Sequence, residues 1–174
     1  MKQKQFHLGW VICTTVFAFL LGMLFHNIYS WSGNNVFVGL FFPINESIWE
    51  HLKLAFYPLV IVWMLFVHHM RLEPEFLWTN RLTACLLSVV TSFLIITGLY
   101  YLLHSGFGAN GLPLHLTTYG IGLFCGQWLA VHLTFQKRIP KWLGTFSASI
   151  LSLLVLTFAC LSLNPLSFPI FQTP

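Results

Sequence analysis

The chain has 174 residues, 57% of them hydrophobic and only 7% charged, with a mean hydropathy of +0.78 and a formal net charge of +4. A soluble domain carries about 25% charged residues, so this composition excludes a water-soluble core and fits an integral membrane protein. The positive balance does not imply a nucleic-acid partner: seven of the eight basic residues lie in short loops or at a terminus, where they set topology.

Met1-Lys2-Gln3-Lys4 leads into a first apolar run over about 8–29. That run exceeds the roughly 7–15 residues of a signal-peptide core. No Ala-x-Ala-like site follows it, the exit reading Tyr29-Ser30-Trp31-Ser32-Gly33. It is expected to be a retained transmembrane helix. Val36-Phe37-Val38-Gly39-Leu40-Phe41-Phe42 is apolar but too short to span, which predicts an interfacial or re-entrant segment ended by Pro43.

A second span is predicted over about 45–70. Asn45 or Ser47 can cap it, and Ser47-x-x-Glu50 matches a capping box. Capping accounts for Asn45, Ser47 and Glu50 but has no use for Glu46, His51 or Lys53. Pro58 removes one backbone hydrogen bond and predicts a kink.

Further spans follow over about 81–103, 114–135 and 142–163. The expected fold is all-α: a polytopic bundle of five transmembrane helices forming one integral membrane domain, residues 1–174. Two small-residue stripes, Gly122/Gly126/Ala130 and Gly144/Ala148/Ser152, allow close helix approach, either within the chain or as the face of a homo-oligomer. The tail from Asn164 to Pro174 holds three prolines and is expected to be an extended arm. Cys13, Cys85, Cys125 and Cys160 lie in apolar runs with no Cys-x-x-Cys pair and read as small buried hydrophobes.

Five crossings put Lys2, Lys4, Arg71, Arg81, Lys137, Arg138 and Lys141 at one face and Lys53 alone at the other. The positive-inside rule makes the first face cytoplasmic, with the amino terminus inside and the carboxyl terminus outside, in a bacterial cytoplasmic membrane. Glu73 and Glu75 share an inner loop with the arginines and read as solvated charges. The partners this implies are membrane lipids, not nucleic acid.

This topology gathers His26, Glu46, Glu50, His51, His104 and His115 at the outer ends of four helices. Ionisable groups near hydrocarbon are costly unless paired, and they mark functional sites. Imidazole and carboxylate suit a divalent metal such as zinc. The expected ligands are His51, His104, His115 and Glu46. Glu50 is expected as general base, with Ser47 beside it as a second catalytic group. His26, Asn45, Lys53 and Tyr119 would bind substrate, His26 also serving as a reserve ligand. A buried structural network of Glu50, His51, Lys53 and the asparagines explains the same residues without chemistry. The function is therefore either a metal-dependent hydrolase of a lipid or membrane-associated substrate, or a non-enzymatic protein binding or transporting an ion or small solute.

The run Trp31-Ser32-Gly33-Asn34-Asn35, followed by Asn45-Glu46-Ser47-x-Trp49-Glu50-His51-x-Lys53, resembles a family of small bacterial polytopic membrane proteins that carries only a domain-of-unknown-function label. The resemblance implies a similar helical layout and no particular activity. Ser47-x-x-x-His51 is also similar to the Ser-x-x-x-His element of membrane hydrolases of the alkaline ceramidase and adiponectin receptor type, which implies zinc chemistry. Their His-x-x-x-His element and their seven helices are not matched. The length and oiliness resemble those of the substrate-binding subunits of energy-coupling vitamin transporters, whose alanine-rich coupling motif is missing here.

Overall fold

The computed structural model describes residues 2–65, 77–136 and 139–173. Expectations for Arg71, Glu73, Glu75, Lys137 and Arg138, like His68 and His69, lie outside the described residues. Five long helices form an all-α bundle: α1 (Lys2–Trp31), α3 (Ile48–Leu65), α4 (Leu77–Tyr101, prolonged by a π turn Leu102–Gly106), α5 (Leu112–Gln136) and α6 (Lys141–Leu163). A single turn, α2 (Val36–Gly39), lies between the first two, and a 3₁₀ turn (Pro169–Phe171) follows α6.

Four of these helices are long and apolar enough to cross a membrane: Leu8–Trp31, Ile48–Leu65, Trp78–Gly106 and Lys141–Leu163. The expectation was five. Among the described residues α5 falls short because it carries His115, Thr117, Thr118, Tyr119, Gln127 and His132 along its length. Several of these are internal: Thr118 and Gln127 are buried, and the Trp63 indole N–H donates to Gln127 Oε1 at 2.8 Å. Hydropathy therefore takes no account of the inward place of Thr118 and Gln127, although Thr117 and His132 are exposed. The outward faces of the other helices, with Leu20, Leu94, Leu153 and Leu156 exposed, suit contact with lipid chains.

The interfacial or re-entrant segment is corrected too. Residues 36–42 make one helical turn capped by the Asn35 side chain, then bend back. No clear interfacial segment is seen among the described residues. The carbonyls of residues 36–42 matter more than their apolar side chains: those of Gly39 and Phe42 accept from Lys53 Nζ at 2.8 and 3.3 Å.

The small-residue stripes are used inside the chain. A Cβ at Gly126 would collide with the Ser88 carbonyl and the Ser92 hydroxyl, and one at Gly122 with Ile96. This is the α4–α5 seam, where Ser92 Oγ donates to the Gly122 carbonyl at 3.0 Å. A Cβ at Gly144 would press on Thr79, so the starts of α6 and α4 meet as closely.

Three smaller expectations change. Cys85 is fully buried, but Cys13 and Cys160 are exposed on the outside of the bundle, where an apolar thiol needs no partner. The tail does not extend away. Phe171 stacks on Trp49 with ring centroids 5.1 Å apart, and Ile170 packs against Ile48, Tyr100 and Leu114, because these apolar side chains find cover on the bundle end. Arg81 is not a loop charge. It is wholly buried in the first turns of α4, its guanidinium 5.4 Å from the Trp78 ring, with no hydrogen-bond acceptor among the described residues.

Candidate metal centre

α3 begins at Ile48, not at Asn45, and this shift decides the site. Ser47 Oγ accepts from the Glu50 N–H at 3.3 Å, as an N-cap hydroxyl does. The reciprocal half of the capping box is missing. The Ser47 N–H donates instead to Asn45 Oδ1 at 2.9 Å. Glu46 therefore lies in the loop before the helix, and it is not on the same helical face as Glu50.

The two glutamates part company. Glu50 is buried, and its carboxylate is fully engaged. Oε2 accepts from Lys53 Nζ at 2.8 Å and from the Ile44 N–H at 3.0 Å. Oε1 lies 2.6 Å from Ser162 Oγ at the end of α6, whose single proton is shared with the Phe158 carbonyl at 2.8 Å. Lys53, also fully buried, satisfies its three donors on Glu50, Gly39 and Phe42. This cluster ties the 39–44 loop, the start of α3 and the end of α6 together. Neither residue lines the two cavities that border His26 and Glu46.

Glu46 is exposed and turns toward two half-buried histidines. Its Oε2 lies 3.3 Å from His51 Nε2 and 3.6 Å from His26 Nε2. One ligand atom from each of the three residues falls within 4.8 Å of the others, so the group can hold a metal ion. Four ligand atoms around an ion with bonds of about 2.0–2.1 Å sit about 3.4 Å apart in a tetrahedron, and the two measured edges match.

The other nitrogen of His51 sharpens this. Nδ1 lies 2.9 Å from the Ser47 carbonyl, which can only accept, so Nδ1 carries the proton. In the neutral ring Nε2 is then a bare lone pair facing a carboxylate oxygen. Two acceptors 3.3 Å apart need a cation between them, either a second proton or a metal ion. Metal-ligating histidines ordinarily donate their other N–H to a carbonyl or carboxylate in this way.

The remaining predicted residues fall around this group. The His115 ring stacks 6.2 Å from that of His51, outside the three-residue cluster but beside it. His104 is one ring further away: it stacks on Tyr100 at 5.1 Å, Tyr100 in turn lying 5.4 Å from His115, and its Nδ1 is 3.3 Å from the Ala109 carbonyl. The structure does not bring His104 to Glu46. His26, named only as a reserve ligand from sequence, stands in the cluster itself, and its ring meets that of His51 at 5.2 Å.

Two cavities flank the cluster. One, of about 220 Å³, lies between α1, α3, α4 and α5 and is walled by Met23, Ile48, Ile96, Leu112 and Leu116. His26, His51 and His115 border it, and one helical turn deeper each is followed by Gly22, Leu54 and Tyr119. The Tyr119 hydroxyl donates to the Leu54 carbonyl at 2.8 Å and packs where a Cβ of residue 22 would be. The second cavity, of about 270 Å³, has a mixed lining, with Tyr29, Ser30, Asn34 and Asn45 beside Pro43 and Ile44. His26, Asn27 and Glu46 border both.

Neither a curated protein nor a solved structure matches this chain. One family model does, over residues 1–174, and the protein accordingly belongs to the Family of unknown function (DUF6512).

Proposed function

We propose that the chain is a membrane-embedded, metal-dependent hydrolase of an amphiphilic substrate, with His26, His51 and Glu46 as the metal ligands. The observation that carries this reading is the pair of facing acceptors, His51 Nε2 and Glu46 Oε2, with His51 Nδ1 fixed on the Ser47 carbonyl. His26, His51 and Glu46 would hold a divalent ion such as zinc, which when bound would supply an activated water.

The chain's own residues supply the rest. The Ser47 carbonyl orients His51, and Ser47 acts through that contact and through its cap. Glu50 and Lys53 hold the loop that carries Glu46. His115, facing the cavity beside His51, is the group placed to move a proton. Asn45 and Asn27 offer polar contacts to a substrate at the mouth. In ester hydrolysis the water oxygen bonds to the acyl carbon and the acyl C–O bond breaks. One water proton passes to the departing oxygen through His115, and the other is lost as the acid ionises.

The wider reading is a bundle that crosses the membrane five times, α5 included. The amino terminus and the basic loops lie on the cytoplasmic side, and the metal group lies near the opposite surface. The alternative of a solute or ion carrier is less well supported, because Gly22, Leu54 and Tyr119 pack together beneath the three histidines.

Metal content of protein purified without added chelator tests the assignment. About one zinc or other divalent ion per chain is expected in the wild type. His26→Ala, His51→Ala and Glu46→Gln should lower metal affinity by tenfold or more while retaining a cooperative melt. His104→Ala should leave it unchanged. A wild type without metal, even after zinc is offered, overturns the proposal.

A further inference from the structure

The two cavities differ in chemistry, and the metal group lies where they meet. The inner one is a blind apolar slot. From His26 to Gly22 on α1 is four residues, and from Leu112 to Tyr119 on α5 is seven, which at 1.5 Å per residue gives a depth of about 6–10 Å. Its 220 Å³ is below the roughly 300–1,000 Å³ of a pocket that encloses a whole drug-sized ligand. It suits one arm of a larger molecule and is too small for two hydrocarbon tails.

The outer cavity presents amide and hydroxyl groups from Asn27, Ser30, Asn34, Asn45 and Tyr29. Among its lining residues are no lysine and no arginine. The nearest basic residue along the chain, Lys53, has no exposed surface, and its donors are committed to Glu50, Gly39 and Phe42. The carboxylate in that lining, Glu46, is committed to the ion in the hydrolase reading, so no free carboxylate remains there for a cationic head.

Resting on the hydrolase reading above, we infer that the substrate is a neutral, single-chain acyl ester or acyl amide. Its hydrocarbon chain occupies the slot under the histidines. Its carbonyl lies at the His26–Glu46–His51 group, and its uncharged hydroxyl- or amide-bearing head occupies the outer cavity. The slot holds one chain, so a diacyl lipid leaves its second chain uncovered, and the outer cavity offers a phosphate or carboxylate head no lysine or arginine. The water oxygen adds to the acyl carbon, the acyl C–O or C–N bond breaks, and the leaving oxygen or nitrogen takes a proton from that water.

Binding tests this apart from turnover. A short-chain 1-O-alkyl glycerol, an ether that cannot be hydrolysed, is titrated into the protein in phosphatidylcholine nanodiscs, both zinc-loaded and chelated. An alkyl phosphate of equal chain length and a 1,2-dialkyl glycerol are run beside it. Saturable binding of the alkyl glycerol is expected, with the other two at least tenfold weaker in the chelated protein, where no ion can hold a phosphate. Leu116→Trp, which fills the slot, should abolish that binding while leaving metal content unchanged, and Leu116→Ile should preserve it. Equal binding of the alkyl phosphate or the dialkyl glycerol in the chelated protein overturns the inference. So does indifference to Leu116→Trp, or no saturable binding in either metal state. Because the chelated arm is read separately, failure of the metal assignment shows as missing zinc, and failure of the substrate assignment as missing ether binding.

Discussion

Lys53 has no exposed surface, yet its ammonium reaches a carboxylate and two carbonyls, so its charge is matched in place. Removing one member of a buried ion pair costs about 3–5 kcal/mol, because the survivor is left uncompensated. Lys53→Met is therefore expected to destabilise the protein by about that much, and Lys53→Met with Glu50→Gln by clearly less. Thermal melting of the two variants in detergent measures this, and equal melting points for single and double variants would contradict a coupled pair. Sequence reading did name the buried network of Glu50 and Lys53 as one account of the motif. It could not separate Glu46 from Glu50. Their four-residue spacing promises one helical face, but only if both lie in the helix, and α3 starts two residues after Glu46. His26 ranked low because it lies twenty residues before Glu46 in the chain, and nothing local signals that the loop between them folds back.

Pro58 has a partner that sequence periodicity does not reveal. It supplies no N–H to the Leu54 carbonyl one turn earlier, yet α3 runs unbroken from Ile48 to Leu65. Tyr119 of α5 donates to that carbonyl instead, and Gly22 of α1 leaves room for the phenol. One proline, one glycine and one tyrosine from three helices thus form a joint directly beneath the histidines. Losing a bond to a buried acceptor costs about 1–3 kcal/mol, so Tyr119→Phe should destabilise by that amount. In a Pro58→Ala background residue 58 regains an N–H for Leu54, and the same change should then cost much less. A double-mutant cycle by thermal melting reads the coupling, and strictly additive effects would show that the phenol is not serving the orphaned carbonyl. At this scale the sequence was legible in outline. The long helices overlap the predicted apolar runs, because apolar runs of spanning length leave little choice, though α1 starts already at Lys2 and α3 only at Ile48. α5 was legible as a helix but blurred as a membrane span, since Gln127 and Thr118 look inward.

Taken whole, the bundle collects its chemistry at one end. The carboxyl end of α1, the amino ends of α3 and α5, the π turn after α4 and the end of α6 all meet there, and the folded tail packs on Trp49 beside them. Lys2 and Lys4 in the first turns of α1 and Lys141 at the start of α6 are at the opposite end. Burial of Lys53 strengthens the bias, because a lysine committed to Glu50 and two carbonyls is no longer a free loop charge. Arg81 weakens it slightly, being buried beside Trp78. Lys2, Lys4, Lys137, Arg138 and Lys141 are left to carry the bias, and under the topology proposed above their side would be the cytoplasmic one. Ser105 and Gln172, both exposed, belong to the site's end, whereas Gln136 closes α5 at the other. In a background lacking Cys13, Cys85, Cys125 and Cys160, single cysteines at Ser105 and Gln172 should react with an impermeant thiol reagent in intact cells. One at Gln136 should react only after the membrane is opened. The reverse pattern would put the His26–Glu46–His51 group on the cytoplasmic side, and its water and its polar head group would then have to come from the cell interior.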